Sequence, residues 1–375
     1  MGAEIRKTIK GWPAISYKTF KSLVIGNLEA RLPIIQGGMG VGISLSGLAS
    51  AVANQGGVGV IATAGIGLFE PDFNSNFLEA NIRALRREIR RFRENSKGLV
   101  GINVLGALSN FGDMVRTAVE ECVDFVFTGA GLPLNLPQYL EGSLKTKLVP
   151  IVSSAKALSL ITRTWIKKYN YIPDAVVVEG PKAGGHLGFS KEQVSDPEYA
   201  LEKIFPPVVE EASRIESETG KNVPVIAAGG IYTGEDIDAF LKLGASGVQM
   251  GTRFVTTNEC DASDVFKQTY LASKKEDIVI IKSPVGLPGR AIYNSFIERL
   301  NHGQNIPFKC PYHCISTCDR VNSPYCIGLA LMHAKKGQMN LGFAFAGENA
   351  YRAKEIVSVA DLVASLKSEY EQSGQ

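Results

Sequence analysis

Eight short apolar runs recur along the chain, each closing on a small or polar residue: PIIQGG (33–38), GVGVIATAG (57–65), LVGINV (99–104), VDFVFTG (123–129), LVPIVSS (148–154), DAVVVEG (174–180), VPVIAAGG (223–230) and SGVQMGT (246–252). They are nearly continuous rather than alternating, which is how strands buried on both faces of a helix-covered parallel sheet read. Helical patterns fill the intervals. The clearest, 76–95, repeats Leu78, Ile82, Leu85, Ile89 and Phe92 at spacings of four and three. Arg83, Arg86, Arg87, Arg90, Arg91 and Arg93 fill its other positions, as a solvated outer face does rather than a nucleic-acid surface. A second, 234–243, follows Thr233 with Asp236 three residues on, close to a capping box, and stops at Gly244. Eight such units in order predict an α/β fold, a (β/α)8 TIM barrel over 1–254, rather than a doubly wound sheet. Beyond Phe254 the rhythm stops. Residues 255–340 read as a smaller, mainly helical second domain, with SPVGLPGRAI (283–292) as a lid over the site or a plain connector. Residues 341–375 contain IVSVADLVASLKSEY, whose spacing predicts a helix returning to the barrel.

Composition narrows the partners. With 375 residues, 45% hydrophobic and 21% charged, the chain reads as globular, and a formal charge of +3 offers no electrostatic argument for nucleic acid or membrane. A small molecule is the expected partner. The N-terminus has no apolar core of signal-peptide length, and the long apolar stretch 45–69 is broken by Asn54, Gln55 and glycines, so a cytoplasmic protein without a membrane span is expected.

In a barrel of this kind the working groups stand at the carboxyl ends of the strands. Those ends carry Gly37, Gly38 and Met39, then Thr63, Asn103, Thr128, Ser153 and Glu179, then Gly229 and Gly230, and last Gln249, Met250, Gly251 and Thr252. They hold no paired carboxylates and no His/Asp/Glu metal-ligand cluster, so a cofactor is expected to supply the chemistry. AAGGI and QMGTRF, after strands seven and eight, present main-chain N–H groups where barrels often hold a phosphate. QGGMG would let a flat ring lie against main chain, and phosphate plus flat ring point to FMN. No G-x-G-x-x-G spacing competes. After strand six, EGPKAGGHLGF (179–189) places His186, one of four histidines, in a glycine run that suits an acid–base group or a loop-satisfying structural histidine. His302, His313 and His333 lie beyond the barrel and read as surface or packing residues.

PIIQGGMG, GINV, EGPKAGGHLGF, AAGGI and QMGTRF, in this order over roughly residues 30 to 260, resemble the nitronate monooxygenase family, formerly called 2-nitropropane dioxygenases, and the related FMN-dependent enoyl-acyl carrier protein reductases. The resemblance implies that Asn103, Glu179, Gly184, Gly230 and Gln249 to Thr252 hold FMN. It also implies that Gly37, Gly38 and Met39 lie beside the isoalloxazine and that His186 is the active-site histidine. Glu179 and Lys182 stand where many of the monooxygenases carry Gln and then Glu, and Glu179 is equally compatible with the reductases. The activity implied is oxidation of alkyl nitronates by O2. The alternatives are NAD(P)H-dependent enoyl-thioester reduction and a flavin-binding barrel without turnover, against which His186 argues. A homo-oligomer is possible, and Arg290 and Tyr293 are candidates for substrate contact.

KCPYHCISTCDRVNSPYC gathers Cys310, Cys314, Cys318 and Cys326 in the spacing C-x3-C-x3-C-x7-C. Thiolates four apart on a helix would share a face, and Cys326 returning from a loop could complete four ligands for an iron–sulfur cluster or a zinc ion. Buried thiols acting as small apolar residues are the alternative. Cys122 and Cys260 have no partners in sequence and read as packing residues.

Overall fold

A computed structural model describes residues 19–143, 145–310 and 312–373. Its centre is a closed barrel of eight parallel strands. They are β1 (Ile34–Gln36), β2 (Val58–Ala62), β3 (Leu99–Leu105), β4 (Phe125–Gly129), β5 (Lys147–Val152), β6 (Val176–Glu179), β7 (Val225–Ala228) and β8 (Gly247–Met250). Neighbours in the chain are neighbours in the barrel, and β8 closes on β1 with Gln249 opposite Ile35. All eight apolar runs form the expected strands. Successive residues point alternately inward and outward. Ile35, Val58, Val60, Phe125, Phe127, Val149, Val177 and Ile226 fill the interior. Ile34, Ile61, Ile102, Val126, Leu148, Val176, Val178 and Val248 pack against the helices. Both faces are dry, which is why the runs do not alternate. An N-terminal hairpin, Leu23–Ile25 with Leu28–Ala30, adds Leu23, Ile25 and Ala30 to the interior core and closes the end of the barrel away from the site.

The outer layer comprises α1 (Ser46–Asn54), α2 (Phe77–Asn95), α3 (Phe111–Glu120), α4 (Ala155–Tyr169), α5 (Leu201–Thr219) and α6 (Gly234–Lys242). A 3-10 turn, Leu136–Leu140, stands in place of a helix after β4. On α2, Leu85, Ile89 and Phe92 are buried while the arginines pair with Glu70, Asp72, Glu88, Glu120 and Glu121, so this is the solvated, ion-paired face expected. The capping box of α6 is complete: Thr233 Oγ1 accepts from Asp236 N at 3.2 Å, and Asp236 Oδ2 accepts from Thr233 N at 3.0 Å.

After the barrel come α7 (Asp264–Ala272), β9 (Ile278–Lys282), β10 (Pro288–Ile292), α8 (Ser295–Asn301), α9 (Ile327–Lys335) and α10 (Val359–Gln372). Helix α10 packs between α6 and α1 and fills the eighth position of the ring, anchored by Glu369 Oε2 accepting from Gly234 N at 2.7 Å. The sequence 283–292 is more than a connector. Residues 283–287 turn the β9–β10 hairpin, and β10 pairs on its other edge with the two-residue strand Gly185–His186. The apolar run Ile278–Ile281 is what makes this hairpin, and its strand character went unread behind the Pro/Gly signal that follows. Pro288 occupies the first position of β10, where a proline is tolerated. The hairpin, α8, α9 and Phe343 share a small core of their own around Val285, Ala291, Phe296, Tyr325 and Ala330. No described helix is long and apolar enough to cross a membrane.

Candidate functional site

The strand ends open into a cavity of about 310 Å3, within the range of small-molecule and cofactor sites of roughly 300–1,000 Å3. Gly37, Gly38, Met39, Asn103, Glu179, Gly184, His186, Gly229, Gly230, Gln249, Met250, Gly251 and Thr252 all line it. Thirteen positions spread over more than two hundred residues thus meet in one place, because every barrel strand ends on the same rim. Thr128 and Ser153, two other strand-end residues, do not line the cavity. Met250 lends main chain only, since its side chain belongs to the layer between barrel and helices.

The residues present fit an FMN. At one end, Gly229 and Gly230 adopt φ of 94° and 95°, a left-handed backbone that favours glycine, and bare main chain faces the cavity beside Gly251. Thr252 Oγ1 accepts from Gly347 N at 2.9 Å, which leaves its hydroxyl proton free for an anionic oxygen. The stem of Lys182 lies across Gly230, and Lys182 lines the cavity. A phosphate would be held there by Gly229, Gly230, Gly251, Thr252 and Lys182. Next to Gly251, whose Cα would be 3.6 Å from a Gly37 Cβ, the main chain of Gly37 to Met39 lines the cavity where a flat ring can approach, and Gly38 lies directly on Asn103.

His186 lines the same cavity. Its Nε2 is 2.7 Å from Ser283 Oγ, in the hairpin turn, and its ring meets Phe345 edge to face at 5.0 Å. With Nε2 engaged, Nδ1 is the ring nitrogen left for a substrate. Withdrawal from solvent lowers its pKa to about 4, so the imidazole is neutral at physiological pH. The same cause pushes the Glu179 carboxyl, at the end of β6, up to about 7. What exposure Glu179 keeps is toward the cavity.

The sequence did not point to Ser283, Phe345, Gly347, Glu348 or Asn349. The stretch 345–349 returns beside the cavity wall, where Asn349 Nδ2 donates to Gly230 O at 2.6 Å and Glu348 N donates to Lys182 O at 3.1 Å. The stretch AFAGENA has one glycine, Gly347, and no motif that marks it; Gly184 packs there so tightly that a Cβ would stand 2.6 Å from Ala346 C. Arg290 does not meet the expectation of substrate contact. It is 5% exposed and donates to the carbonyls of Pro181 and Ala183, the latter at 2.9 Å, with Glu348 at 3.4 Å. Its guanidinium shapes the loop that carries His186. Tyr293, 39% exposed, is not among the cavity residues. Nor are His302, His313 and His333, whose ring nitrogens meet Glu298 O, Cys318 O and Gln338 Oε1.

The cysteines also differ from expectation. Cys310, Cys314 and Cys318 lie in an irregular loop rather than on a helix: the stretch bridges to the loop after β3 at Ile315 and makes only isolated turns of its own. Cys326 is the N-cap of α9. Cys314 and Cys326 line the cavity. Among the described residues, no three His, Cys, Asp or Glu side chains are gathered as one metal ion requires, so neither the zinc nor the iron–sulfur expectation meets a ready ligand set here. Cys260 is buried and Cys122 is exposed, so packing describes only the first.

The raised Glu179 pKa gives a signed prediction. A carboxyl whose folded pKa lies above its unfolded value adds stability that is fully present below 4.5 and lost as pH rises through about 7. The shift corresponds to on the order of 3 kcal/mol. Flavin-free Glu179→Gln protein should therefore show a nearly flat unfolding midpoint across this window, where the parent declines. Parallel slopes in the two proteins would show that Glu179 is ionised at no cost.

The nitronate monooxygenase family profile matches residues 21–369. A protein of Staphylococcus saprophyticus named probable nitronate monooxygenase is 28% identical over 302 residues, covering 74% of this chain and 80% of that one. The structure of FabK from Thermotoga maritima superposes with a TM-score of 0.70 at 27% identity, over 91% of this chain and 93% of that one. Nitroalkane oxidase from Streptomyces ansochromogenes, at 22% identity, TM-score 0.68 and coverage of 92% and 96%, shares the fold. With the match running from the N-terminal hairpin to α10, the chain belongs to the nitronate monooxygenase family and is an FMN-dependent oxidoreductase on a (β/α)8 barrel.

Proposed function

We propose that the protein oxidises alkyl nitronates with O2. FMN, when bound, supplies the electron acceptor and the reactivity with oxygen. The observation that carries the reading is the state of His186. An imidazole with a pKa of about 4 is a weak base for a carbon-bound proton, so a neutral nitroalkane is a poor substrate here. A nitronate arrives already deprotonated and needs positioning. Neutral His186, steadied by Ser283 and Phe345, offers it a hydrogen bond from Nδ1 in the tautomer that protonates that nitrogen. Arg290 holds the Pro181–Ala183 loop, and with it the ring's height over the strand ends. Phe73, Phe77, Leu108 and Tyr312 give the cavity an apolar side that excludes water and takes the alkyl part.

The same apolar side, the likeness to FabK and Glu179 at the end of β6 favour a second reading, NAD(P)H-dependent enoyl-thioester reduction. A side-by-side assay separates the two: alkyl nitronate with O2 and no pyridine nucleotide, against an enoyl thioester with NADH or NADPH. Oxygen uptake with nitronate alone is expected, and chromatography of the released chromophore is expected to give FMN. Rapid enoyl reduction without nitronate turnover would establish the second reading instead, and FAD or no flavin after reconstitution would end both.

A further inference from the structure

Between α8 and α9 the chain runs from residue 302 to 326 with no helix or strand among its described residues except an isolated bridge at Ile315. Loops beyond about 12–15 residues are uncommon in a compact domain unless they serve a site. This one carries four of the six cysteines. It is laid along the cavity rim by Ser109 N donating to Cys314 O at 3.1 Å and Ser316 N donating to Ala107 O at 2.8 Å, on either side of the Leu108–Ile315 bridge. Tyr312 stacks on Phe77 at 5.0 Å, and Cys314 and Cys326 both form cavity wall.

Cys314 and Cys326 line the same cavity, and Cys318 packs with Ile315, Tyr325 and Ile327 in the small core beside it. Burial pushes the Cys314 thiol up to about 12, and Cys326, Cys310 and Cys318 add to the rise by repulsion. Cys326 is raised by burial and by Cys310 and Cys318, against main-chain N–H groups of Gly328 and Leu329 that favour its thiolate. All four thiols are half-buried, and none is in a disulfide.

We propose that Cys310, Cys314, Cys318 and Cys326 ligate an iron–sulfur cluster in the wall of the flavin cavity. A single tetrahedral ion would need thiolates about 2.3 Å from one centre, and no three described ligands are gathered in that way. A cluster interposes iron and sulfide between its four ligands and holds the thiolates farther apart, which a long irregular loop closed by the N-cap of α9 can do. Cys326 is the N-cap of α9, where the unpaired first-turn N–H groups of the helix would be at hand to donate to a cluster sulfur, the kind of contact that tunes a cluster's potential. Cys326 and Cys314 face the space assigned to the flavin, so the cluster and the flavin would share a wall.

The test is metal and sulfide analysis of full-length protein purified without oxygen. Iron and acid-labile sulfide are expected in equal amounts, about two to four of each per chain, with an electron paramagnetic resonance signal after dithionite reduction. Cys314→Ser and Cys318→Ser should each lose the iron while keeping the flavin, whereas Cys122→Ser, altered at an exposed thiol outside the loop, should keep both. Iron and sulfide near background, even after anaerobic reconstitution with ferrous iron and sulfide, would overturn the proposal, as would zinc in their place. Iron surviving in a variant with all four cysteines replaced by serine would overturn it too. If the serine variants do not fold, the wild-type iron, sulfide and resonance measurements decide alone. Loss of flavin with iron retained would strike the barrel reading and leave the cluster standing.

Discussion

His186→Ala is expected to keep its flavin and to lose nitronate turnover by on the order of a hundredfold or more, the usual effect of removing a positioned proton-transfer or hydrogen-bonding group. The fold should tolerate the change. His186 is held in its short strand by the main-chain pairing of Gly185 and His186 with Arg290 and Gly289, and that pairing does not involve the ring. Ser283 Oγ loses its imidazole partner but keeps the contact with Val285 N at 3.4 Å. The groups assigned to the phosphate, at the ends of β7 and β8, are untouched. Flavin absorbance at wild-type stoichiometry together with steady-state oxygen uptake measures both halves of the expectation. Turnover near wild type removes His186 from the reaction; loss of flavin and solubility together makes it a structural residue. A pH profile adds a sign: with a pKa of about 4, wild-type activity should not fall between neutrality and mildly acidic pH on account of this ring.

Gly38→Ala should abolish flavin binding or weaken it at least about tenfold, by a steric route. The backbone at Gly38 is not in the left-handed region, so alanine meets no conformational penalty. Its methyl would overlap Asn103 Cβ, stand 2.8 Å from Asn103 Cγ and press Val60 Cγ1 at 3.3 Å. Either Asn103, itself only 9% exposed, gives up its place in the cavity wall or the first strand end moves outward. Both spoil the surface on which a flat ring would rest, and overpacking of this kind costs about 1–3 kcal/mol of stability. Titration of flavin-free protein with FMN, read by quenching of flavin fluorescence, gives the binding change, and thermal unfolding gives the stability change. Undiminished FMN affinity would show that no ring lies against Gly37 to Met39.

Much of the barrel was legible because its determinants are local. Val176, Val177 and Val178 read as one apolar run, since the first and third face helices and the second faces the interior. Thr233 and Asp236 announce the start of α6 because a capping box closes within four residues. The cavity residues were legible for the same reason: each follows a strand, and a barrel sends all such positions to one rim. Arg290 was misread because its charge is visible in sequence, whereas the carbonyls that absorb it belong to a loop 107 residues earlier. The hairpin was hidden in part because the partner strand that completes its sheet is only Gly185–His186, too short to announce itself.

From the sequence alone came the eight-unit order, the rim on which function is placed, and the glycines that leave main chain open to a cofactor. These follow from periodicity and from the absence of side chains, which neighbours in space do not alter. Tertiary structure decided what those residues experience. Ser283 reaches His186 across 97 positions, Gly347 reaches Thr252 across 95, and Asn349 reaches Gly230 across 119. With its short strand paired to β10 and its ring against Phe345, His186 is withdrawn from water and its pKa lies at about 4, while burial at the end of β6 raises that of Glu179 to about 7. A residue's identity sets the proton it can carry. The dielectric and the partners that set how tightly it carries that proton are assembled from segments far apart in the chain.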